Sequence, residues 1–217
     1  MSEIVKTYLL DEPYVLSPMD RKTFYKEQVA EFEKNGKPSR AVEIVDVFLF
    51  NEAGELFVQK RSSNKAHNPG LLDKSIGGHV DDGNAADYTA MVETVQELSV
   101  PSVVLRSDDD FHKTHKMLNT YLSTIAILRH EDTRIFEFTK MIGGKECTIA
   151  NKVNVYFGVY GGKIKTVDQE AKGVLQYTLD DLQDEIKKAP MMFTQELGYF
   201  IEYYRAPLDV FVKSIKK

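Results

Sequence analysis

Apolar positions recur along the chain with two periods, and the switches between them mark out the elements. Residues 43–50, EIVDVFLF, and 55–61, ELFVQKR, are rich in β-branched and aromatic side chains. The turn NEAG at 51–54 between them predicts a hairpin. Upstream, residues 6–10 and 14–16 predict short extended segments. Ser17-Pro18 then introduces a helix over 19–35 that Gly36 closes. Residues 71–76 carry an apolar stretch into Gly77-Gly78. A helix follows over about 85–98, with Ala86, Ala90, Val92 and Val95 as an approximate apolar stripe.

Further strands are predicted near 101–106, 119–129, 153–160 and 163–167, and the mixed signals over 130–150 read as part of an insertion. Residues 178–190 predict a capped helix and 194–215 one or two more. Strands interleaved with helices indicate an α/β or α+β class. No repeat, low-complexity segment or linker interrupts the 217 residues, so a single domain is expected.

Composition narrows the function classes. A net charge of -5 disfavours nucleic acid as a partner. The single Cys147 excludes an intramolecular disulfide and a cysteine-based zinc site, which fits a reducing, cytoplasmic setting. The start MSEIVKTYLL lacks the basic and apolar regions of a signal peptide. No run of about 18 apolar residues suggests a membrane span.

The stretch GGHVDDGNAADYTAMVETVQELSV, residues 77–100, concentrates the candidate chemistry. Glu93 and Glu97 are one helical turn apart and share a face, with Gln96 on the same side. Two carboxylates so spaced suit a hard cation such as Mg²⁺, which takes oxygen ligands and keeps several waters. The glycines at 77 and 78 allow close backbone approach to an ion or a phosphate. Asn84 with Asp87 three residues on predicts an N-cap with a capping-box-like partner. Asp81 and Asp82 read as solvated loop acids, and the surface reading of the two glutamates stays open at this point.

This stretch resembles the Nudix box, the loop–helix–loop signature of hydrolases acting on nucleoside diphosphates linked to another group. Gly78 opens the box, Asn84 stands at its first Glu, and Val92-Glu93 stand at its Arg-Glu. Thr94 takes an aliphatic place, Gln96-Glu97 replace Glu-Glu, and Ser99-Val100 stand for Gly-aliphatic, so the register holds with five substitutions. The lead-in VFLFNEAGELFVQKRSSNKAHNPGLLDKSIGGHV is similar to the subgroup related to isopentenyl-diphosphate isomerases. Downstream, GGKIKTVDQEAKGVLQYTLDDL and MMFTQEL also resemble the family, and the likeness covers roughly residues 42–205.

The resemblance implies a Nudix-fold α/β/α sandwich with a mixed sheet, preceded by an extension over 1–41 and carrying an insertion over 107–150. It implies a hydrolase of a diphosphate linkage that uses Mg²⁺ or Mn²⁺. Glu93, Gln96, Glu97, Glu170 and the Gly77 carbonyl would be its metal ligands, and Glu97 and Glu170 its catalytic residues. Lys60, Arg61, Gly78 and His79 would contact a small-molecule diphosphate. Many members are dimers, so a homodimer belongs to the expectation. The loss of charge at Gln96 and Val92 supports a rival reading, a module that binds a nucleotide or diphosphate without turning it over. An isomerase is disfavoured because Gly77 stands where that enzyme's catalytic Cys belongs, and Cys147 is far off in sequence. His112 and His115 are spaced by three without a third ligand nearby, and the aromatic run YFIEYY reads as packing.

Overall fold

A computed structural model of the chain describes residues 3–12, 15–65, 67–165 and 171–216. The strands are β1 (Ile4–Val5), β2 (Thr7–Leu9), β3 (Met19–Asp20), β4 (Arg40–Phe50), β5 (Leu56–Arg61), β6 (Leu72–Asp73), β7 (Ile76–His79), β8 (Ser102–Leu105), β9 (Ala126–Ile142), β10 (Lys145–Val159) and β11 (Ala171–Tyr177). The helices are α1 (Arg21–Asn35), α2 (Ala86–Leu98), α3 (Asp108–Leu118), α4 (Leu179–Lys188), α5 (Gln195–Tyr203) and α6 (Arg205–Ile215).

The main sheet runs β11-β5-β4-β10-β9-β8. β4 pairs β10 in parallel and β8 pairs β9 in parallel, while the remaining pairings are antiparallel, so the sheet is mixed. The second edge of β4 is shared along its length by β2, β7 and, at Phe50, β5. A strand so enclosed is buried on both faces, which is why EIVDVFLF reads as a nearly continuous apolar run.

Alternation along β4 divides the core. Val45, Val47 and Leu49 face Ala86, Ala90 and Leu98 of α2. Ile44, Phe48 and Phe50 face a larger cluster that includes Phe24 of α1, Phe111 of α3, Leu182 of α4, Phe200 of α5 and Phe211 of α6. One helix therefore covers one face and the others pack on the opposite one, the expected α/β/α arrangement.

Several boundaries move. Within 119–129, residues 119–121 form a 3-10 turn, and β9 starts only at Ala126. Residues 163–165 carry no strand, residues 166–167 lie outside the described set, and β11 begins at Ala171. The segment 107–150 is built into the sheet: it contributes α3 and most of a long β9–β10 hairpin. That hairpin turns at Gly143-Gly144, with φ of +57° and +80°, the left-handed pair that a two-residue turn requires.

Helix α2 also starts later than its sequence suggests. Ala85 is the N-cap and makes no side-chain bond, so Asn84 and Asp87 form no capping box. The Asn84 carbonyl instead accepts from Lys6 Nζ at 2.5 Å, and Asp87 accepts from Tyr156 and Arg106. The buried row of α2 is Ala86, Ala90 and Thr94, with Glu97 and Leu98; Val95 is exposed. Thr94 is tolerated there because its hydroxyl donates to the Ala90 carbonyl at 2.5 Å.

Candidate functional site

The two glycines expected to allow close backbone approach lie in strand β7. Gly78 is opposite Val45, and Gly77 is opposite Asp46. A Cβ on Gly78 would stand 2.3 Å from Oε1 of Glu93, so the Glu93 carboxylate lies against bare backbone. Any larger residue at 78 would push that acid away. One turn on, Glu97 is buried at 4% exposure and accepts from Gln59 Nε2 of β5 at 3.0 Å. Gln96 is exposed.

Glu97, Gly77 and Gly78 line one cleft with Arg21, Lys140 and Asn151, among others. Its floor is a chain of buried charges. Arg61 contacts Asp73 Oδ2 at 2.9 Å. Lys74 Nζ sits 3.0 Å from Asp46 and 3.3 Å from Glu196, and Glu196 reaches Lys140 at 2.6 Å. Asp73 Oδ1 accepts from the backbone N of Lys74 at 2.9 Å and from the Thr194 hydroxyl at 2.8 Å. Thr194 is the N-cap of α5 and Glu196 lies in its first turn, where the helix dipole favours an acid. The network thereby ties α5 to β4, β6 and β9.

Burial pushes the Asp46 carboxyl up to about 7, against the pull of Lys74 and with a further push from Glu196. Burial acts the same way on Glu196, but Lys140 and Lys74 overcome it and hold that acid well below its usual range. No hydrogen-bond partner among the described residues reaches Asp46 Oδ2. Burial, then the charges of Arg21 and Lys140, keep His79 neutral, its pKa well below the ordinary value of 6.5. Its Nε2 lies 3.0 Å from the Tyr25 hydroxyl.

The other expected residues are placed as follows. Lys60 is exposed and is not among the residues lining the cleft. Arg61 lines it, but its guanidinium also donates to the carbonyls of His67 and Asn68 at 2.9 and 3.2 Å, which holds the 62–70 loop. Glu170 lies outside the described residues. His115 stacks on Phe111 with ring centroids 5.9 Å apart, and Phe200 and Tyr204 are buried in aromatic contacts. Among the described residues no group of three or more His, Cys, Asp or Glu side chains converges on a metal position. The donors at hand, Glu93, Glu97 and the Gly77 carbonyl, are all oxygen. Such a set fits a hard ion that keeps much of its water and not a softer one.

Asp46, Lys74 and Gln59 were not singled out from the sequence. Asp46 and Lys74 carry a readable signal, a charge inside an otherwise apolar run, in EIVDVFLF and LLDKSI. Gln59 carries none.

A model of the NUDIX domain matches residues 41–192, most of the chain and all of the cleft except what α1 and α5 bring to it. The chain belongs to the Nudix domain family. Members of this family typically use divalent metal ions and take small-molecule diphosphates. A Nudix hydrolase of Deinococcus radiodurans is 31% identical over 109 residues, 49% of this chain and 63% of that protein. An uncharacterized Nudix hydrolase of Pseudomonas aeruginosa is 42% identical over 65 residues, 30% of this chain and 38% of the relative. An isopentenyl-diphosphate Delta-isomerase of Streptomyces coelicolor is 37% identical over 68 residues, 31% of this chain and 34% of that enzyme. These alignments span less than two thirds of each relative's length. The Nudix fold itself is seen in a Deinococcus radiodurans crystal structure with a TM-score of 0.58, at 18% identity, covering 93% of this chain and 98% of that one. A MutT protein of Methanosarcina mazei superposes with a TM-score of 0.52, at 16% identity, over 77% of this chain and 94% of the other. No helix among the described residues is long and apolar enough to cross a membrane.

Proposed function

We propose that this Nudix-family chain hydrolyses a diphosphate linkage in a small molecule, with Mg²⁺ or Mn²⁺ as cofactor. The observation that carries the reading is the conjunction of Glu93 against Gly78 with buried, oriented Glu97 in a cleft lined by cations and acids. Glu93, Glu97 and the Gly77 carbonyl would hold the ion, with Glu170 as a further carboxylate from outside the described residues. When bound, a divalent ion neutralises charge that builds on phosphoryl oxygens.

The chain's own residues do the rest. Gln59 fixes the Glu97 carboxylate through its amide donor, so the acid is oriented before any ligand arrives. Gly78 leaves the space that Glu93 occupies. The polar, charge-lined cleft receives the diphosphate, and Arg61 shapes its wall by pinning the 62–70 loop. Exposed Gln96 offers only a neutral carbonyl oxygen and cannot act as a base, which is consistent with a weaker site than three acids would give.

The test is turnover of nucleoside diphosphate sugars, dinucleoside polyphosphates and prenyl diphosphates by the purified chain with Mg²⁺ or Mn²⁺. Phosphate-bearing products are expected from at least one class. Glu97→Gln should lower kcat by about a hundredfold or more, since even partners behind a metal ligand cost 10- to 100-fold. Absence of turnover across all three classes would sink the proposal. Binding of a diphosphate without turnover would favour the rival, a binding module, which the missing charge at Gln96 supports.

A further inference from the structure

We propose that Arg21, brought to the cleft by the N-terminal helix, is a substrate-binding residue that exchanges Glu3 for a phosphate-type oxyanion of the ligand. The inference rests on the diphosphate reading of the cleft and adds a recognition residue from a part of the chain ahead of the family match.

Four observations converge. Arg21 lines the cleft together with Gly78, His79 and Glu97. Second, Arg21 is the first residue of α1, the end at which the helix dipole is positive, and no acid lies in that first turn. The acid that answers the dipole is the N-cap Asp20, whose carboxylate accepts from the Thr23 backbone N at 2.9 Å and so is committed to the helix rather than to Arg21.

Third, its present partner is a weak competitor. Arg21 Nη1 meets both oxygens of Glu3 at 3.0 and 2.9 Å, with the two side chains 40% and 44% exposed. Pairs in water at this exposure contribute little, and the guanidinium fork fits a phosphate equally well. By contrast, Arg61, Lys74 and Lys140 face buried Asp73, Asp46 and Glu196. Of these four cations, Arg21 alone is paired with an acid that water already reaches.

Fourth, the exchange needs no backbone movement. The Arg21 amide donates to the Glu3 carbonyl at 2.9 Å, and Ile4 pairs with Asp20, so the helix start stays anchored while the side chain swings. Tyr25, one turn further on, holds the same helix to the cleft through His79.

The experiment titrates the full chain with methylenediphosphonate, a diphosphate that cannot be hydrolysed, in the presence of Mg²⁺, by calorimetry. Arg21→Ala should raise Kd by about ten- to a hundredfold, the range for a lost hydrogen bond to a charged group. Arg21→Lys should fall between. Glu3→Gln removes the competing acid and should tighten binding several-fold. A purely structural ion pair would weaken binding, or leave it alone, in both Arg21→Ala and Glu3→Gln. Unchanged affinity in Arg21→Ala, weaker affinity in Glu3→Gln, or no binding by the wild-type chain overturns the inference. The hydrolase reading is judged separately by turnover: opposite shifts in Kd without any hydrolysis would leave Arg21 as a ligand contact and remove the enzyme. Hydrolysis with the same KM in wild type and Arg21→Ala would do the reverse.

Discussion

The surroundings of His79 fix its charge. The resemblance makes it a substrate contact, and the ring is half-buried, neutral and bonded to Tyr25. Because its folded pKa lies below the unfolded value of 6.5, the unfolded chain binds the extra proton as the pH falls through that range. Stability is therefore present above 6.5 and is lost below it, by up to about 1.4 kcal/mol per pH unit for this one group. Denaturant titrations between pH 7.5 and 5 should show a shallower loss in His79→Gln than in wild type. An identical slope would mean that His79 does not contribute. The neighbouring Glu93 and Glu97 are candidates from their spacing, which by itself leaves a surface reading open; the glycines and the box resemblance single them out. Gln59, which orients Glu97, is not a candidate, because a glutamine in a strand carries no mark of the partner it meets across the fold.

At the scale of elements, α2 ends where the resemblance to the Nudix box places a glycine. Ser99 occupies that position with φ of +55°, the left-handed geometry that glycine adopts without steric cost. Ser99→Gly should stabilise the chain by about 0.5–1 kcal/mol, raising Tm by roughly 1–4 °C in a domain of this size. A lowered Tm would show that the serine contributes something its backbone geometry does not reveal. Strands β4 and β5 could be read from their apolar runs because β4 is buried on both faces and β5 over Leu56–Gln59, and α2 from Ala86, Ala90 and Leu98 although Val95 is exposed. The β9–β10 hairpin could not. Its outer half alternates Phe136 and Phe138 with exposed Ile135 and Glu137, and that alternation was broken in sequence by polar residues on both sides. The signal the sequence carries for this hairpin is its Gly143-Gly144 turn.

Across the whole molecule, the buried charges do what an apolar layer does elsewhere: they fasten α5 to the sheet beneath the cleft. Removing one partner of such a network leaves an unmatched buried charge, which costs about 3–5 kcal/mol. Glu196→Gln strands Lys140 and weakens the hold on Lys74, so Tm should fall by roughly 10 °C. A drop within a degree or two would show that water, not Glu196, satisfies those lysines. None of this network followed from sequence spacing, since Asp46, Lys74, Lys140 and Glu196 come from four separate elements. Alternating strand and helix patterns gave the α/β or α+β class, and the resemblance to the Nudix box supplied the sandwich; the family match covers the same stretch.

The central claim, that water attacks a phosphorus of a diphosphate in this cleft, has a direct test. Turnover in ¹⁸O-labelled water, read by mass spectrometry of the products, should place one label in a phosphoryl group for each linkage broken. Label confined to a non-phosphoryl product, or a rearranged product without label, would contradict it.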